Sequence, residues 1–189
     1  MRWNTWLIVL GPLLLLACTT TAPIVSSVQH VTLPLSLSGA RVAVLSFGAA
    51  PAHPETGRAA REIATGVLVQ RYGVSLISPS RVDAYLKEHS VTSSEFDGEP
   101  LEVLARSLGA EIILWGSVNQ FTPYRFDRLA PATPPYVDLT LLALRVGDTG
   151  VAKSSGRKQG GLPLTIWNRQ PTFDDVAQPL IVELLGSLR

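Results

Sequence analysis

One cysteine, one methionine and three histidines are all that 189 residues offer to thiol or soft-metal chemistry. A lone cysteine excludes a disulfide within the chain and every paired-cysteine metal motif. His30, His53 and His89 lie far apart, and no His-Glu-x-x-His spacing joins any of them, so the common zinc-hydrolase ligand set is missing. Neither Gly-x-Gly-x-x-Gly after a strand nor a Walker loop is present, which removes the usual phosphate cradles. Ser46 and Ser78 stand at strand ends without an evident base, and the Gly-x-Ser-x-Gly elbow is absent. Net charge is equally scarce, at +1. A chain so nearly neutral, with no polybasic run, carries no electrostatic footprint for nucleic acid. These gaps predict a protein with no catalytic residues, no metal and no cofactor.

What is present begins at the N-terminus. Arg2 is followed by Trp6 to Ala17, an apolar run broken only by Gly11-Pro12, and then by Cys18. Twelve residues of helix span ~18 Å, short of a ~30 Å hydrocarbon core, so the run reads as a secretory leader and not as a membrane helix. No later apolar stretch is long enough to cross. The junction Leu15-Leu16-Ala17-Cys18 resembles the lipobox of bacterial lipoproteins. That resemblance implies cleavage before Cys18, acylation of its thiol and of the new amine, and, with Thr19 next in place of aspartate, the periplasmic face of a Gram-negative outer membrane. Several acyl chains hold far more firmly than one, since each buried methylene contributes ~0.8 kcal/mol.

The organisation that follows is a leader over 1–17, a lipidated cysteine and flexible tether over 18–39, and one domain over 40–189. The tether is rich in Thr, Ser, Pro and Val, and Val28 to Leu37 has the makings of an edge strand. Val42 to Phe47 and Ala110 to Val118 are apolar on both sides and read as central strands. Glu55 to Arg71 predicts a helix with Ala59, Ile63, Val67 and Gln70 on one face, Ala60, Ala64 and Leu68 beside it, and Gly73 as its stop. Val74 to Ile77 reads as a short strand. Ser80 then reads as an N-cap with Asp83 as capping partner, before a helix that buries Val82, Tyr85 and Leu86. Pro100 and Gly109 bracket another. Val137 to Val146 and Val151 to Gln159 make a hairpin across Gly147 to Gly150, its second strand polar and outermost. Thr172 caps a last helix with Val176, Leu180, Leu184 and Leu188 at every fourth position. The order β-α-β-α-α-β-β-β-α predicts a single layered α/β (α+β) domain, a mixed sheet with helices packed on it.

Four segments taken together resemble a known superfamily. They are Val42 to Phe47, Ser75 to Val82, Leu108 to Val118 and Leu139 to Gly150, in that order behind the lipobox. The resemblance is to the curli-secretion lipoprotein superfamily, which also holds the activator lipoproteins of penicillin-binding proteins and other periplasmic lipoproteins. It implies a non-enzymatic scaffold or assembly factor of the cell envelope, with a secretion-pore subunit and an activator of a wall synthase as the other readings. A pore would need lipid-facing strands, and only 137–159 is long enough for one hairpin, whose second strand, Lys153 to Lys158, would place charges toward lipid on one face.

Acidic residues Glu95, Asp97, Glu99 and Glu102, like Asp174 and Asp175, sit where a helix N-terminus favours negative charge. The segment that stands out is 121–136. It gathers Phe121, Tyr124, Phe126 and Tyr136 with Arg125, Arg128 and four prolines. Aromatics and arginine are enriched at interface hot spots, and proline lowers the cost of ordering a loop. This loop is either a docking surface for an envelope protein partner or a cap folded onto the sheet. Expected contacts are the outer membrane, through the anchor, and unidentified envelope proteins, with homo-oligomers compatible with the sequence.

Overall fold

The computed structural model describes residues 26–31, 35–89, 99–126, 132–148, 150–161 and 169–188. These form one mixed six-stranded sheet with four helices: β1 (Ser26–Val31), β2 (Arg41–Gly48), α1 (Glu55–Tyr72), β3 (Ser75–Leu76), α2 (Pro79–Glu88), α3 (Glu99–Leu108), β4 (Ile112–Thr122), β5 (Tyr136–Arg145), β6 (Ala152–Gln159) and α4 (Phe173–Ser187). Strand order is β1-β6-β5-β4-β2-β3. β2 is parallel to β3 and β4, and the ladder from β4 through β5 and β6 to β1 is antiparallel. The expected α+β architecture and element order are present, with β1 added in front.

β2 and β4 are apolar on both sides because helices cover both sides. Val42, Val44, Ile112 and Leu114 face the layer of α1 and α4, while Ala43, Leu45, Ile113 and Trp115 face that of α2 and α3. Alternation along a strand sends neighbours to opposite faces, so a doubly covered strand needs both parities apolar. α1 buries Ala60, Ala64, Val67, Leu68 and Tyr72, whereas Ile63 is half-buried and Gln70 exposed. The buried stripe is thus centred on the expected Ala60, Ala64 and Leu68 with Val67, while Ala59 and Ile63 sit at its margin and Gln70 falls outside it. Small alanines permit close approach to the sheet, and the larger Ile63 fits at the margin. Gly73, at φ 59°, closes the helix in the left-handed region.

Three local expectations change. α2 is capped at Ser78, with Pro79 in its first turn. A proline's fixed φ and missing N–H suit that position, so it sets the helix start ahead of Ser80. Asp83 is no capping partner; it pairs with Arg61 of α1 at 2.8 Å. β6 is not outermost, because β1 pairs along it with Ser26 opposite Lys158 and Val31 opposite Lys153. Its polar sequence has another origin: on the α4 side it presents Ala152, Ser154, Gly156 and Lys158, small residues and one lysine, all buried. Ser154 Oγ lies 2.6 Å from Ser187 Oγ, and Lys158 Nζ pairs with Glu183 of α4.

The packed unit also starts before residue 40. Leu35 and Leu37 are fully buried, and the Leu35 N–H donates to the Leu188 carbonyl at 2.6 Å. Of the 18–39 tether, residues 26–31 thus belong to the sheet and 35–39 to the core's lower rim, and the edge strand lies slightly ahead of the expected Val28 to Leu37.

A bulge in β2 between Val44 and Phe47 breaks its register with β4. There Gly116 leaves room for the Phe47 ring, where a methyl would meet both that ring and the Thr140 carbonyl. Arg61 serves the other edge of β2: the Ala40 and Val42 carbonyls accept from the Ser75 and Ile77 N–H groups, and at Val44, where the row reaches Pro79 with no N–H to give, Arg61 Nε and Nη2 donate instead at 3.1 and 2.9 Å.

Candidate functional site

The sheet has two ends, and the predicted loop lies at one of them. β4 runs toward this end and β5 back from it, with Thr122 opposite Tyr136 as the last ladder pair. Beyond that pair Arg125 and Thr133 form a further bridge, each N–H donating to the other's carbonyl at 3.1 and 2.9 Å. The described residues on either side of 127–131 therefore continue the β4–β5 hairpin past the sheet. Its residues divide by depth. Phe121 folds back, packing edge-on against His53 and Phe173 with centroids 4.9 and 5.2 Å away. Tyr124 and Tyr136 are half-buried, and Arg125 is exposed. Phe126 is 63% exposed, the highest value among the large hydrophobic side chains of the described residues. Arg128 lies outside the described residues, as do Cys18, Glu95, Asp97 and Trp167.

His53, in the turn after β2, is half-buried. Its ring lies against Phe121 and its Nδ1 is 3.3 Å from Glu55 Oε1. Its carbonyl takes the Thr56 hydroxyl at 2.7 Å, and that hydroxyl accepts the Ala50 N–H at 3.1 Å. This web fixes the turn joining β2 to α1 beneath the hairpin. His89 stacks on Tyr85 at 4.0 Å on α2, far from His53, and His30 is in β1 opposite Ser154. Glu102 pairs with Arg106 on α3 at 2.9 Å. Ser78 Oγ lies 2.7 Å from Ser80 Oγ, and Trp115 is in the core under α2 and α3.

The start of α4 lies at the hairpin end too. Asp175 accepts from the Thr172 N–H at 2.7 Å and hydroxyl at 2.8 Å, and from Arg169 at 2.8 Å. The Thr172 backbone bond does most to hold its carboxyl below the usual range; burial opposes it, and the Thr172 hydroxyl and the Arg169 guanidinium add to the lowering. This is the cap expected at Thr172.

The opposite end holds a feature that sequence reading does not single out, an open cleft of about 530 Å³. Ser36, Ser38, Glu111 and Arg145 line it, and Arg145 Nη2 donates to the Ser36 carbonyl at 2.8 Å. Its walls come from segments far apart in the chain, so no local spacing announces it. Among the described residues no three His, Cys, Asp or Glu side chains come together in a metal-binding group, and no buried side-chain polar atom lacks a partner. No helix of the described residues is long and apolar enough to cross a membrane.

No protein-family model matches the sequence, and no curated protein matches it. Solved structures do. Two structures of the PelC dodecamer from Paraburkholderia phytofirmans share 21% and 20% identity, with TM-scores of 0.58 and 0.57. Each covers 87% of this chain, and 98% and 97% of its own. Lipoprotein GNA1162 from Neisseria meningitidis has a TM-score of 0.51 at 13% identity, over 79% of this chain and 94% of that one. The LpoB C-terminal domain from Salmonella enterica has 0.48 at 14%, over 66% and 83%. At these identities the likeness to PelC and GNA1162 establishes a shared fold, nearly whole chain against whole chain.

Proposed function

We propose that this chain is a periplasmic lipoprotein anchored to the outer membrane through Cys18, acting as a non-enzymatic scaffold or assembly factor of the cell envelope, in the manner of the curli-secretion superfamily. The observation that carries this reading is the Leu-Leu-Ala-Cys junction standing directly ahead of a domain with the fold of PelC and of lipoprotein GNA1162. The same likeness favours self-assembly, since PelC is a dodecamer. A scaffold needs a rigid body and surfaces, and among the described residues every buried side-chain polar atom has a hydrogen-bond partner. In the pore reading 137–159 would turn toward lipid. Here it is built into the sheet, between β4 and β1, with Leu139, Leu141 and Ala143 in the core.

The test is the intact mass and native mass of the full chain extracted from membranes of a Gram-negative host. The expected result is a polypeptide beginning at an acylated Cys18, in an oligomer, that a Cys18→Ser substitution releases from the membrane fraction. A free thiol behind an uncut leader overturns the anchor. Crosslinking in cells then separates the remaining readings, because an activator captures a wall synthase and a scaffold captures envelope assembly proteins.

A further inference from the structure

Every wall of the cleft at the far end of the sheet is tied in place by backbone hydrogen bonds. The first wall is the stretch Leu35 to Ser38, whose burial alternates. Leu35 and Leu37 enter the core, while Ser36 and Ser38 are exposed and line the cleft. The Leu35 N–H donates to the Leu188 carbonyl at one end of this stretch. At the other the Ala40 N–H donates to the Leu37 carbonyl at 3.2 Å, closing a turn that holds Gly39 at φ 72°. Ala110 and Glu111 form the second wall, and the Glu111 N–H donates to the Arg41 carbonyl at 2.8 Å. Arg145 and Val146 form the third, joined to the second by the Val146 N–H donating to the Glu111 carbonyl at 2.9 Å.

Charges of both signs line this space. Arg145 gives one N–H to the Ser36 carbonyl at 2.8 Å, which fixes its guanidinium at the cleft. A guanidinium carries five N–H donors in a planar fork, so that one bond leaves others to offer. Glu111 is exposed, and among the described residues no ion pair joins it to Arg145 or to another cation. Arg41, its neighbour on β2, is held over Gly109 and does not line the cleft.

We propose that this cleft binds a small zwitterion, an amino acid or a short unblocked peptide. Its carboxylate lies on the Arg145 guanidinium and its ammonium on the Glu111 carboxylate, with the Ser36 and Ser38 hydroxyls beside them. Charge selects this class. A plain anion drawn to Arg145 meets Glu111 in the same cleft, and a plain cation drawn to Glu111 meets Arg145. Only a ligand carrying both signs leaves neither charge opposed. The guanidinium fork matches a carboxylate with paired bonds. The volume of about 530 Å³ falls within the ~300–1,000 Å³ of small-molecule sites. Walls braced before the ligand arrives also reduce the ordering that binding must impose.

The test titrates alanine and dialanine, each also as its N-acetyl and its C-terminal amide form, into the full-length protein in detergent micelles. Saturation-transfer NMR reads the binding. The expected dissociation constant of the better unblocked ligand is on the order of 1 mM, and blocking either end weakens it about tenfold. Preference for alanine assigns a free amino acid, and preference for dialanine assigns a peptide. Glu111→Gln should weaken the unblocked ligand and strengthen its N-acetyl form until the two converge, with the thermal unfolding midpoint unchanged. No saturation transfer up to about 10 mM overturns the proposal. Equal binding of blocked and unblocked forms overturns it too, as does a Glu111→Gln protein that keeps the parent's order of affinities.

Discussion

Arg61 shows how one side chain can finish a strand edge. Past Ile77 the row of donors facing β2 reaches Pro79, which has no N–H, and a fork of two donors from Arg61 takes up the Val44 carbonyl while a third nitrogen pairs with Asp83. The side chain is only 14% exposed, so no water replaces it readily. Arg61→Ala is expected to cost about 2 kcal/mol, the loss of partner for a buried acceptor plus an ion pair. Arg61→Lys should recover less than half, because one ammonium cannot reproduce the planar fork. Urea unfolding of the three proteins measures both. The sequence marks Arg61 only as a basic residue in a helix; the carbonyl it serves is seventeen residues away and is orphaned by tertiary structure.

Asp175 makes a prediction about pH. Its folded pKa lies below its unfolded one, so folding at mildly acidic pH releases a proton and stability rises with pH there. The contribution is complete above the ordinary carboxylate range and is lost as pH falls through the folded value. The side chain is 42% exposed, so the effect is modest. Asp175→Asn should lower stability at neutral pH by about 0.5–1 kcal/mol, the usual worth of a cap. The gap between variant and parent, read from thermal unfolding midpoints between pH 7 and pH 2, should close on the acid side. A gap that stays constant with pH would mean that the carboxylate's charge is not what stabilises the cap.

At the scale of elements, legibility tracks how local each signal is. The two central strands, the glycine stops after α1 and α3 and the cap at Thr172 could be read off the chain, because each depends on neighbours a few residues away. β1 was harder. Ser-Ser-Val-Gln-His-Val has little apolar alternation, and it becomes a strand because β6 offers it an edge more than a hundred residues later. The same distance hides the reason for the lysine in β6. Lys158 is 11% exposed and its partner Glu183 38%. Removing one partner strands a charge at a half-buried site. Lys158→Met should cost about 2 kcal/mol, below the ~3–5 kcal/mol typical of a fully buried pair. The double variant Lys158→Met, Glu183→Leu should recover most of it. A double-mutant cycle in denaturant checks this, and additive losses would show that the two residues act independently. The hairpin was legible as composition but not as geometry: Phe121 and Phe126 look alike in sequence, and only the fold packs one against His53 and Phe173 and leaves the other exposed.

For the whole molecule the controlling feature is how the segment ahead of β2 closes on the last helix. β1 pairs along β6, and the Leu35 N–H donates to the Leu188 carbonyl, so residues more than 150 apart in the chain hold each other. Leu35 and Leu37 are buried in the same core as Leu180 and Leu184 of α4. The segment is therefore part of the folded unit and not a passive lead into it. Leu35→Ala and Leu37→Ala should each cost about 2–5 kcal/mol, the transfer of the lost methyl groups plus the cavity left behind. Against the ~5–15 kcal/mol that a typical domain has in hand, the pair together should unfold much of the protein. Urea unfolding of the two single variants measures the effect. Losses below about 1 kcal/mol would show that the segment lies on the domain without holding it, and that the sheet and α4 are complete without it.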